Sequence, residues 1–291
     1  MERSSDNDLE GLSADEVAAV EDDLKERLRV YLRHVVALAG AYEHVHGDGN
    51  RSPKEPFYYS AAVIEVRGEW YLLTAGHNVE KMEAAATRAD MKLVACGLDD
   101  TYAPERRDNT PIHYFDFVGA PRFCRNTRGV DFGLIHVRQH YRELLKANGI
   151  QALTEDYWNP AKVHRCGVFL MVGFPEDSTN SGITFSEGHY VARVKGAPSF
   201  ILIDRLPVPP PGCASTRYPR FIGQIRPEHD VGDIAGMSGG PIFCFRGHDF
   251  EPYFLAAIQS TWIKKKGITF GCPIPLILDL AADFFAGSHL G

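Results

Sequence analysis

From residue 57 onward the chain is written in short apolar runs, rich in β-branched and aromatic residues and cut again and again by turn residues. "YYSAAVIEV" (58–66) and "EWYLLTAG" (69–76) are parted only by Arg67 and Gly68, the pattern of a hairpin. "MKLVACGL", "IHYFDFVGA" and "VDFGLIHV" continue as strands. A helical patch, "RQHYRELLKANG", then ends at Gly149. The strand texture resumes in "VFLMVGF", "HYVARVKG", "FILID", "FIGQI", "PIFCF", "FLAAIQSTWI" and "ITFGCPI". Strands alternating with long helices, which a parallel sheet needs, are missing. The texture therefore predicts an all-β protein of two packed antiparallel six-stranded β-barrels. The helical patch divides them, with residues 51–150 in the first and 151–291 in the second. "IPLILDLAADFFAG" has helical spacing and predicts a C-terminal helix.

The N-terminal region has a different texture. "SADEVAAVEDDLKERLRVYLRHVVALAGAY" (13–42) reads as one helix. Ser13 with Glu16 makes a capping box, and Leu24, Leu28, Tyr31, Val35 and Leu38 recur at helical spacing. Residues 1–50 are thus expected to form an acidic helical extension. Most of the net charge of −7 lies in its first 29 residues. Such an element either packs on the domain with an acidic solvent face or docks a regulatory protein. The charge balance argues against nucleic-acid binding, which needs a concentrated basic surface. The one dense basic run, Lys264 to Lys266, reads as a solvated turn. With no apolar leader and no membrane-length apolar run, the expected location is cytoplasmic, off the membrane. The six cysteines are scattered, with no C-x-x-C pair, and read as reduced thiols. His44 and His46 read as loop histidines, and no metal site is expected.

Three stretches carry the chemistry. "GMSGGPIF" (236–243) surrounds Ser238 with glycines. It fits the G-x-S-x-G elbow of α/β-hydrolase esterases, but that elbow leads from a strand into a helix. Here Pro241 and "IFCF" follow, which is strand texture, so the esterase reading is disfavoured. "WYLLTAGHNV" places His77 directly after a strand, beside the small residues Thr74, Ala75 and Gly76. "GVDFGLIHV" places Asp131 at the head of an apolar strand, where a carboxylate is partly buried and can hold a histidine. Asp116 is the next candidate for the acid. A serine hydroxyl becomes a useful nucleophile only when a base takes its proton.

In this order "LTAGH", "VDFGLI" and "GMSGGPIF" resemble the trypsin- and chymotrypsin-like serine proteases, and "VGFP" (172–175) resembles the strand end that opens their second barrel. The likeness covers about residues 57–285. It implies a serine endopeptidase with the chymotrypsin-like pair of barrels, acting on protein substrates and needing no metal or organic cofactor. By this resemblance Ser238 is the nucleophile, His77 the general base and Asp131 its orienter. The N–H groups of Gly236 and Ser238 form the oxyanion hole, and Asp233, Ser260 and Trp262 border the substrate pocket. Asp233 would favour a basic side chain. A protease fold that only binds is the alternative, although none of the three residues is missing. Two positions depart from the family pattern. Asn78 stands where secreted relatives carry a half-cystine. Met237 stands where zymogen-activated relatives carry an aspartate that pairs with a new N-terminus, so that activation switch is not expected.

Overall fold

The computed structural model of the chain describes residues 26–47, 50–104, 114–186, 189–227, 233–246 and 251–287. Two antiparallel units dominate it. The first is a six-stranded sheet of β1 (Val35–His44), β2 (Glu55–Val66), β3 (Glu69–Thr74), β4 (Met91–Asp99), β5 (Arg122–Thr127) and β6 (Val130–Val137), in the order β4-β1-β2-β3-β6-β5. In the second unit β7 (Val168–Gly173) is followed by a separate hairpin of β8 (Thr179–Ser186) and β9 (His189–Gly196). Then come β10 (Ser199–Arg205), β11 (Phe221–Ile225), β12 (Pro241–Phe245), β13 (Tyr253–Ile263) and β14 (Ile268–Pro273). Strands β7 and β10 to β14 close a six-stranded barrel, in the order β10-β11-β14-β13-β12-β7. Helices are few and short: α1 (Gly76–Thr87), α2 (Gln139–Ala147), α3 (Ile274–Leu280) and α4 (Ala282–Gly287), with two four-residue helical turns between the units. Among the described residues no helix is long and apolar enough to cross a membrane.

The near-continuous apolar runs of β2 and β3 follow from burial on both faces, since successive side chains of a strand point opposite ways. Ala61, Val63, Trp70 and Leu72 enter a cluster closed by Val79 and Met82 of α1 and by Leu145 of α2. Their alternates Ala62, Ile64, Tyr71 and Leu73 enter a second cluster, which they share with Leu170, Val172, Phe243 and Leu255 of the barrel and Ile277 of α3. The two units are thus joined through a common apolar layer. The barrel has its own interior, with Phe169, Met171, Ile203, Met237 and Ile242.

Two expectations are corrected. The helix expected over 13–42 does not extend that far. A helical turn ends at His34, and β1 begins at Val35 (residues before 26 lie outside the described part). Val35 and Leu38, which helical spacing would put on one face, lie in different clusters on opposite faces of the sheet. Pairing with β2 on one edge and β4 on the other supplies the backbone partners. The strand expected at "IHYFDFVGA" is, from Tyr114 onward, a loop and turn that drives Phe115 and Phe117 into the core. Helix α1 was not foreseen, although Val79, Met82 and Ala85 mark its buried face at helical spacing.

Candidate active site

Strand β3 ends at Thr74, and α1 starts at once, so His77 sits in the first turn of the helix. Asp131 is the second residue of β6 and is largely buried. Its carboxylate grips His77 twice: Oδ1 accepts the backbone N–H at 3.0 Å and Oδ2 lies 2.8 Å from Nδ1. Because the carboxylate can only accept, Nδ1 carries a proton, and in the neutral imidazole the lone pair is on Nε2. The side chain of His77 remains 30% exposed, so that lone pair is not sealed away. This is a histidine held in the tautomer a general base requires.

Ser238 comes from the loop between Asp233 and β12. Gly239 has φ +92°, a left-handed value that side chains rarely adopt, and a Cβ there would collide with Thr74 Oγ1 and Ser60 O. The glycine therefore lets the serine loop lie directly on the end of β3. Backbone bonds fix the loop further: Gly239 N–H to Gln259 O (2.8 Å), Gln259 N–H to Gly240 O (2.9 Å) and Glu176 N–H to Ala235 O (2.6 Å). The N–H groups of Gly236 (φ +87°) and Ser238 find no acceptor among the described residues. Unpaired N–H groups beside a serine are what an oxyanion requires. The Ser238 hydroxyl donates to Ser260 O at 3.2 Å, and no hydrogen bond joins it to His77 among the described residues.

Two buried side chains that the sequence did not single out for this role tie the histidine region to the serine loop. Asn78 Nδ2 donates to Ser238 O (3.0 Å) and to Thr74 Oγ1 (3.2 Å). Ser60 Oγ donates to Gly236 O (3.2 Å) and accepts from Phe174 N–H (2.9 Å), while Ser60 O accepts from Thr74 Oγ1 (2.7 Å). One local signal was present: Thr74 and Asn78 flank His77 four residues apart. The partners of the Ser60 hydroxyl are 114 and 176 residues away, beyond any local pattern.

His77, Gly236, Ser238, Ser260 and Trp262 line one cavity of about 930 Å³. Its other side is walled by Tyr42, Phe57 and Tyr59, whose rings stack at 4.5 and 4.9 Å. Burial pushes the Tyr59 hydroxyl up to about 12, so it stays a neutral donor or acceptor. Asp233 is not in this wall. Its carboxylate takes Lys264 Nζ at 2.8 Å and the Ala235 N–H at 2.9 Å, and the Lys264 bond holds it below the usual carboxylate range. Its neighbours Ile234, Ala235 and Gly236 line the cavity, while its own carboxylate is taken up by Lys264 and Ala235. Asp116, the second candidate for the acid, is bound to Arg138 at 2.9 Å and to the Gly119 N–H. Met237 is fully buried in the barrel interior. All six cysteines are free thiols, and no group of three or more metal-ligating side chains occurs among the described residues.

Comparisons with known proteins stand beside this geometry. No protein-family model and no curated protein matches the chain. Several solved structures are similar in chain path. Tobacco etch virus protease in complex with product is 9% identical, with 89% of this chain and 81% of that chain covered, at a TM-score of 0.43. The protease Anisep from Arthrobacter nicotinovorans is 12% identical, with 89% and 98% covered, at 0.42. A glutamic acid specific serine protease is 14% identical, with 84% and 96% covered, at 0.35.

Proposed function

We propose that the chain is a serine endopeptidase. The observation that carries the reading is the carboxylate-held His77 in one cavity with Ser238 and two unpaired N–H groups. In the reaction Ser238 Oγ leaves Ser260 O, turns about its Cα–Cβ bond and attacks the scissile carbonyl carbon. His77 Nε2 takes the hydroxyl proton. The carbonyl oxygen becomes an oxyanion received by the N–H groups of Gly236 and Ser238. The C–N bond then breaks as Nε2 returns the proton to the leaving amine. Water repeats the sequence on the acyl-enzyme and frees Ser238. Asp131 keeps Nδ1 protonated and stabilises the imidazolium. Met237 fills an apolar cluster and offers no counter-charge, so the loop geometry rests on packing rather than on an ion pair made by processing. With Asp233 committed to Lys264, no preference for basic side chains is proposed.

The bond from Ser238 to Ser260 O favours one second reading: a module that holds polypeptide without cutting it. A fluorophosphonate probe separates the two. The peptidase is labelled, labelling vanishes in Ser238→Ala, and that substitution lowers turnover on the order of 10⁶-fold, the scale known for another serine protease. Absence of Ser238-dependent labelling and of peptide cleavage overturns the peptidase reading.

A further inference from the structure

A second cavity, of about 300 Å³, shares Ser260 and Thr261 with the one just described. Its walls come from both units: the β5–β6 turn with Arg128 and Gly129 from one, and Arg220 ahead of β11 from the other. The two walls are packed together, because a Cβ on Gly129 would collide with the Thr216 side chain. Arg128 is exposed, and neither arginine has a carboxylate partner among the described residues. Arg220 is nevertheless held in place. Its guanidinium lies 4.4 Å from the centroid of the Phe270 ring, and Nη2 donates to Ala214 O at 2.9 Å. Burial keeps it below its ordinary pKa, and the charge of Arg128 acts in the same direction. The carboxylate in the wall, Asp131, has its two oxygens on His77. Glu80, beside the turn, is bound by Asn126 at 2.7 Å. The cavity thus presents two guanidinium groups that no carboxylate among the described residues pairs with, and a guanidinium with spare N–H groups is made for carboxylate oxygens.

We propose that this cavity receives an acidic side chain of the polypeptide substrate. Ser260 belongs to both cavities and its carbonyl holds the Ser238 hydroxyl. Because Ser260 borders both cavities, a polypeptide lying across Ser238 passes the mouth of the second one, which fixes the acidic residue at a set position relative to the scissile bond. For cleavage the inference rests on the peptidase reading; for binding it stands without it.

The test has two arms, both on the full chain. In the first, Ser238→Ala protein is titrated with a fluorescein-labelled peptide of Ala-Asp repeats and with its Ala-Asn counterpart. The acidic peptide is expected to bind at least ~10-fold more tightly at low salt, the size of one charge-assisted hydrogen bond. The difference is lost when Arg128→Gln and Arg220→Gln are added, and is reduced by Arg128→Gln alone, a change at an exposed side chain that spares the packing on Phe270. In the second arm a decapeptide library is cleaved by the unmodified chain. Asp and Glu are enriched at one fixed position relative to the cut, and the enrichment disappears in the double variant. Equal binding of the two peptides, or a preference that survives the double variant, overturns the inference. A library cut without acidic preference overturns it too and leaves the peptidase reading standing. An uncut library sinks the peptidase reading, and the binding arm then decides the inference alone.

Discussion

His34 gives a prediction that can be worked through from the structure. The residue is fully buried where the N-terminal helical turn meets β13. Nδ1 lies 2.6 Å from Gln151 O, a group that only accepts, so Nδ1 carries the proton. Nε2 lies 2.7 Å from Tyr253 Oη, which itself receives Arg33 Nη2 at 2.6 Å. The site accommodates a neutral imidazole, and a second proton would set Nε2–H against a hydroxyl already facing a guanidinium. Burial lowers the pKa of His34 from 6.5 to about 3, with Arg33 adding to the effect. In the unfolded chain His34 takes up its proton as pH falls through 6.5, whereas the folded state refuses it until about 3. Stability from this group is therefore complete above pH 6.5 and drains away as pH falls toward 3, at ~1.4 kcal/mol per pH unit. At pH 5 the loss is about 2 kcal/mol from one side chain. Urea unfolding followed by tryptophan fluorescence from pH 7 to pH 4 measures it, with His34→Gln as the control. Glutamine keeps a donor and an acceptor but does not titrate. Every other titrating group acts in both proteins and cancels, so the wild-type curve should fall more steeply by that slope. Parallel curves would refute the argument that a neutral, buried imidazole holds this joint.

Three further outcomes are expected. Asn78→Ala leaves the Ser238 carbonyl without its donor and should lower stability by about 1–3 kcal/mol, the cost of an orphaned buried acceptor, read as a lower melting temperature, with kcat/KM falling as the serine loop loosens. Thr269 is fully buried and its hydroxyl has no partner among the described residues, so Thr269→Val should raise stability by about 1 kcal/mol, read as a higher melting temperature. Deleting residues 1–25, which stops short of the buried Leu28, Tyr31 and β1, tests the regulatory role expected of the acidic segment. If peptide cleavage and its response to added cell extract match those of the full chain, that role is lost.

How much was legible depended on how local the signal was. The β2–β3 hairpin and the barrel strands announce themselves because each is a short run bounded by turn residues. The histidine, aspartate and serine stretches announce themselves because each has special neighbours within three residues. Val35–His44 misled because a strand buried on both faces loses its alternation and reads like a buried helix. Its identity is decided by β2 and β4 on its two edges, which no window around Val35 contains. Asp233 was legible only in part. Its position five residues before Ser238 was visible, but its partner Lys264, 31 residues on, was not. Ser60 and Arg220 were invisible as site residues because their value comes only from what the other unit brings to them.

Ser60 also has a bearing on when the chain becomes competent. It sits in the first sheet, yet it holds Gly236 O of the serine loop and Phe174 N–H at the end of β7. Asn78, from the same unit, holds Ser238 O. A barrel that has folded before the sheet docks onto it lacks both clamps. The N–H pair that would meet an oxyanion is then a product of the last assembly step, not of the barrel alone. A chain whose barrel has closed before docking on the sheet would carry Ser238 on a loop that neither clamp yet holds.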